Sequence, residues 1–204
     1  MIGFWDSTAH RCPAAAELSR SAAEGLRVWQ VQPVATAREL LTGGHRFAWP
    51  APLIRWLRER SFGLALDWVF RITPRLLPRT GSPHATELLA EVSELQQWRT
   101  VPPPSDVFRQ RGEDLWYRPG RDHARTAISH LCVSLAQVVC PDMAVGINWL
   151  WHVPSLLCDE GFEVSEGRPR VELVEWCVSD FEVFAAGVAQ QDAEPGTAAD
   201  GGGM

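Results

Sequence analysis

The clearest apolar periodicity in the chain lies in SPHATELLAEVSELQQWR, residues 82–99. Leu88, Leu89, Val92, Leu95 and Trp98 recur at three- and four-residue intervals, with three glutamates on the other side. That is the pattern of an amphipathic helix with one buried face. Ser82 is placed to cap it, and Pro83 suits its first turn.

The same spacing recurs along most of the chain. Residues 12–30 read as a helix opened by Pro13, with Leu18, Ala22, Leu26 and Trp29 on one face. A short helix is predicted from Pro33 to Leu41, ended by Gly43 and Gly44. Two more are expected over 51–60 and 62–72, with Pro74 and Pro78 preventing a longer run. Three consecutive prolines at 102–104 make a stiff connector, the best candidate for a sub-boundary. Helices over 105–117 and 121–140 follow, separated by Pro119-Gly120. Ala124, Ile128, Leu131, Leu135 and Val138 mark the buried stripe of the second.

From Met143 to Cys158 there are 16 uncharged residues, short of the roughly 20 that a membrane span needs. This stretch reads as a buried core helix, with a strand over 147–153 as the alternative. An acidic loop follows, with room for a minor β-hairpin near 160–175. Residues 171–188 fit the helical period through Val171, Val174, Val178, Phe181 and Ala185. The tail 189–204 has no periodicity and is expected to be disordered. The expected fold is all-α: one helical bundle over 1–188 with seven or eight helices.

Composition narrows the chemistry. All 19 basic residues are arginine, in the style of a GC-rich bacterial coding sequence. Without lysine, the chain supplies no Schiff-base lysine and no P-loop lysine. The net charge of −6 is unevenly spread: 15 arginines against 12 acids over 1–120, then 4 against 13 over 121–204. Such asymmetry marks either an interaction surface or complementarity between two halves of one fold, and the second is favoured. The five cysteines include no C-x-x-C pair, and no signal peptide opens the chain. A reduced, cytoplasmic protein without metal or cofactor is the natural expectation.

Ten tryptophans are a heavy load, and three of them interleave with arginines over 46–79. Tryptophan and arginine dominate the energetics of protein interfaces. Trp49, Arg55, Trp56, Arg58 and Arg60 are therefore the candidate partner-binding residues. The acidic balance, and the absence of a recognisable nucleic-acid motif, count against nucleic acid.

A second candidate is DLWYRPGRDHARTAISH, residues 114–130. Arg118, Arg121 and Arg125 gather near a helix N-terminus beside Trp116 and Tyr117, and could hold an anionic small molecule there. His123 and His130, two turns apart on one face, are the weak catalytic candidates. The bland alternative is a solvated helix face. There is no G-x-G-x-x-G, G-x-S-x-G or H-E-x-x-H, so the balance leans away from an enzyme. The sequence points first to an accessory or adaptor protein, and second to a ligand-binding bundle or small enzyme.

Overall fold

The computed structural model describes residues 32–43, 45–118, 122–139, 149–159 and 168–193. The helix expected over 12–30, Arg121, Cys12, Cys140 and the tail beyond 193 lie outside these residues. The fold is all-α. Eight α-helices occur among the described residues: α1 Pro33–Thr42, α2 Ala51–Arg60, α3 Phe62–Leu76, α4 Ala85–Trp98, α5 Ser105–Tyr117, α6 His123–Val139, α7 His152–Leu157 and α8 Val171–Ala193. Short 3-10 turns at Arg46–Ala48 and Leu77–Arg79 complete the regular structure. No described helix is long and apolar enough to cross a membrane.

Several boundaries differ from expectation for local reasons. α3 runs on through Pro74 to Leu76. A proline in the last turn removes one N–H, and little helix remains to be disrupted. The Thr73 hydroxyl donates to the Val69 carbonyl at 2.7 Å in the same turn. The helix ends in the Leu77–Arg79 turn, and Gly81 then takes the left-handed conformation at φ 75°.

α4 begins at Ala85 rather than at Pro83. Ser82 is drawn elsewhere: its hydroxyl accepts from His84 N at 3.1 Å and donates to Asp122 at 2.5 Å. α8 extends to Ala193, five residues into the stretch expected to be disordered. The strand alternative for 147–153 fails where it can be read, since 149–151 turn into α7. Of the hairpin, the described residues keep one antiparallel bridge, Asp159 to Pro169, and Val171 already starts α8.

α3 lies at the centre of the packing and touches α2, α4, α7 and α8. Trp68, Ile72 and Leu76 of α3 are fully buried among Leu53 and Leu57 of α2, Leu157 of α7 and Val178 of α8. Residues on both sides of the 102–104 prolines join this core. Trp68 and the half-buried Trp56 both meet Phe181 edge-on, with ring centroids 5.5 and 5.7 Å away. The Nε1 donors of Trp49 and Trp68 are buried without a hydrogen-bond acceptor among the described residues.

α5 and α6 pack along their lengths at close range. Gly112 of α5 makes this possible: a Cβ there would sit 3.2 Å from the Ser129 carbonyl and 3.3 Å from a Val133 methyl. Ser129 Oγ donates to the Gly112 carbonyl at 2.7 Å across the contact. With α4, α5 and α7 all against it, α6 is enclosed, and every residue from 127 to 136 is buried.

Part of the charge asymmetry is met within the fold. Arg38 of α1 pairs with Glu175 and Glu182 of α8, at 3.3 and 3.9 Å. Arg71 and Arg75 of α3 converge on Asp180 of α8 at 3.0 and 3.4 Å. Arginines of the first half thus face acids of the second.

Candidate functional site

The polar cluster expected at the start of α6 is present, but its charges are engaged within the protein. Asp122 caps the helix by accepting from Ala124 N at 2.9 Å, so a carboxylate of the chain itself holds the place an anion would take. Arg118 donates to Glu87, and Glu87 also lies 3.7 Å from His84 Nδ1. The Arg118 hydrogen bond holds the Glu87 carboxyl below its ordinary range. Arg125 is 8% exposed and reaches the other nitrogen of His84. Tyr117 is 63% exposed. Of the three arginines expected to hold an anion, Arg118 and Arg125 are engaged by residues at the start of α4, and Arg121 lies outside the described residues.

The two histidines separate in role. His123 Nδ1 sits 3.8 Å from Asp159, whose other oxygen accepts from Arg168 N at 2.8 Å. That places His123 in the pinning of the Asp159–Pro169 bridge. His130 is enclosed: the residue is 3% exposed, and neither ring nitrogen has a hydrogen-bond partner among the described residues. The solvated-face alternative fails for His130, because helices pack on α6 from several sides.

The surroundings of His130 are aromatic. Trp116 of α5 lies nearly parallel to the imidazole, 5.7 Å away with an interplanar angle of 18°. Trp149, in the turn before α7, meets it edge-on at 4.5 Å. His152, the first residue of α7, lies 5.1 Å away. Trp151 and Phe47 close round His152 at 3.9 and 5.7 Å. Ser155 fixes this corner by donating to the carbonyls of Phe47 and Trp151 at 2.6 and 3.1 Å.

The environment decides the protonation state. Burial pushes His130 well below its ordinary pKa, and the neighbouring His152 adds to the effect. Burial also pushes His152 down to about 3. Both imidazoles are neutral at physiological pH, each with one donor nitrogen and one acceptor nitrogen. Neutral imidazoles can also ligate metals, but no group of three metal-ligating side chains occurs among the described residues.

Sequence reasoning reached His130 and Trp116 but missed Phe47, Trp149, Trp151 and His152. The signal was available in WLWH, residues 149–152, which puts three aromatic rings within four residues.

The arginine–tryptophan segment divides as well. Trp49 is 0% exposed and belongs to the core, which corrects its assignment to a partner surface. It sits in the turn between the 3-10 segment and α2, where Ala48, Leu53 and Ile54 are buried beside it. Trp56 is half-buried, and the Arg60 guanidinium lies 3.5 Å above its ring. Arg60 also donates to the Trp56 carbonyl at 3.1 Å. Arg55 pairs with Glu59 at 3.0 Å, and Arg58 lies over Phe62 at 5.8 Å. Partial burial, then the nearby Arg55, lower the Arg58 pKa.

No protein-family model matches the chain, nor does any curated protein or solved structure.

Proposed function

We propose that this chain is a ligand-binding helical protein, and that its ligand is a small, uncharged, flat molecule held against His130 between α5, α6 and the start of α7. One observation carries the reading: His130 is enclosed, with both ring nitrogens unpaired among the described residues. Leaving a buried polar group without a partner costs about 1–3 kcal/mol. A leucine at 130 would avoid that cost, so the imidazole is an expensive way to fill the position. A ligand with one acceptor and one donor would satisfy both nitrogens. Trp116 and Trp149 offer ring faces and edges to a planar partner. Arg118 and Arg125 are engaged by Glu87 and His84, which disfavours an anion.

The test compares wild type with His130→Leu against a panel of neutral heteroaromatic compounds. Melting temperature and tryptophan fluorescence are the readouts. Wild type should gain stability and lose fluorescence with at least one class of compound, and the variant should do neither. The variant alone should melt at or above wild type, because an unpaired imidazole is replaced by an apolar side chain. A variant that unfolds instead would mark His130 as a plain core residue and defeat the reading.

A second reading keeps a protein partner on α2. It is favoured by the exposed Arg60 lying over Trp56, with Arg55 and Arg58 on the same short helix. Loss of partner capture in Trp56→Ala, with capture retained in His130→Leu, would separate the two readings.

A further inference from the structure

We propose that Cys158 and Cys177 are a dithiol that closes to a disulfide, latching the end of α7 to α8. The proposal stands independently of the ligand reading. The two Sγ atoms lie 3.8 Å apart, and both residues are 0% exposed. Cys158 follows directly on α7, and Cys177 lies in the second turn of α8. The ends of the connection between them are already held together. Arg170 N donates to the Cys158 carbonyl at 2.7 Å, Arg168 N donates to Asp159 at 2.8 Å, and Asp159 bridges to Pro169. A bond of about 2.05 Å therefore asks the two sulfurs, already 3.8 Å apart, to approach further. Cys132, the third cysteine among the described residues, is a buried free thiol on α6.

The thiols are protected as well as paired. Burial first, and then the Cys158 thiol, push Cys177 well above its ordinary pKa. Attack on an oxidant therefore waits for the first turns of α8 to open, where Val171 is already 61% exposed. With a low-molecular-weight disulfide such as oxidised glutathione as the oxidant, one cysteine thiolate attacks a glutathione sulfur and releases the first glutathione thiolate. The second cysteine thiolate attacks the protein sulfur of the mixed disulfide and releases the other. The two cysteine protons pass to the two released thiolates, so one disulfide is reduced as one forms. Since α7 begins with His152, the latch also ties down the helix that carries half of the imidazole pair.

The test treats the reduced full-length protein with oxidised glutathione, blocks free thiols, and maps peptides by mass spectrometry without reduction. The expected result is one linkage, Cys158 to Cys177, with the melting temperature raised by about 6–12 °C. Cys177→Ala should leave glutathione trapped on Cys158. Free Cys158 and Cys177 thiols in the treated folded chain, with the urea-unfolded chain oxidised by the same treatment, would overturn the proposal. So would a linkage of either residue to another cysteine.

Discussion

The flank where α1 and α3 meet α8, and the end where α5, α6 and α7 converge, treat polar groups in opposite ways. On the flank, charge is dense and satisfied: Arg38 reaches Glu175 and Glu182, and Arg71 and Arg75 share Asp180. At the helical end, two neutral imidazoles lie among rings, and the side chain of the buried one has no hydrogen bond among the described residues. Polar density is therefore a poor guide to a site in this protein. The most crowded stretch of sequence, residues 114–130, is mostly spent on ion pairs and a helix cap. What stands out is His130, an enclosed imidazole with both ring nitrogens unsatisfied among the described residues.

Acid should break the comparison most strongly. His130 and His152 are held below their ordinary pKa when folded, while the unfolded chain binds protons on both near pH 6.5. Below that pH the unfolded state binds more protons, so stability is full above it and falls as pH drops. Each histidine that stays neutral in the fold contributes up to about 1.4 kcal/mol per pH unit to this slope. Urea midpoints between pH 7 and pH 4.5 should show it, and the slope should flatten in His130→Leu. An unchanged slope in that variant would mean that the aromatic end does not exclude the proton.

The flank should respond through substitution instead. Asp180→Ala leaves Arg71 and Arg75 without their shared carboxylate, and should cost about 1–2 kcal/mol by chemical denaturation. The lower part of the usual range applies because the two arginine side chains are 40% and 55% exposed. The smallest effect is expected at Arg38, whose side chain and that of Glu175 are 46% and 44% exposed. Arg38→Ala should stay within about 0.5 kcal/mol of wild type, as surface pairs do. A larger loss would mean that the α1–α8 contact is stiffer than its exposure implies.

Much of this architecture is legible in the sequence. Repeats of three and four, prolines at helix starts and glycines at stops give the all-α class and most helix positions. Ends were harder to place where a side chain had a distant rival use. Ser82 is a good local cap, yet it is engaged by Asp122, 40 residues away. Pro74 is a local breaker, yet it falls in a last turn where breaking costs little. The candidate site was half visible. His130 and Trp116 drew attention through their polar neighbours, but Phe47, Trp149 and His152 come from elements with no periodic relation to α6.

The sequence by itself determined which segments wind into helices, because helix formation depends on neighbours three and four residues away. It also set the charge imbalance, part of which the fold meets by pairing Arg38, Arg71 and Arg75 with acids of α8. Only the tertiary structure decided what is enclosed. Trp49 and Trp56 are seven residues apart with similar surroundings in the sequence, yet one is core and the other carries an arginine on its exposed side. His123 and His130 share one helical face, yet only His130 lies where α6 is packed from several sides. Burial depends on which helices converge on a residue, and so does the pKa of an imidazole; neither is written in local spacing.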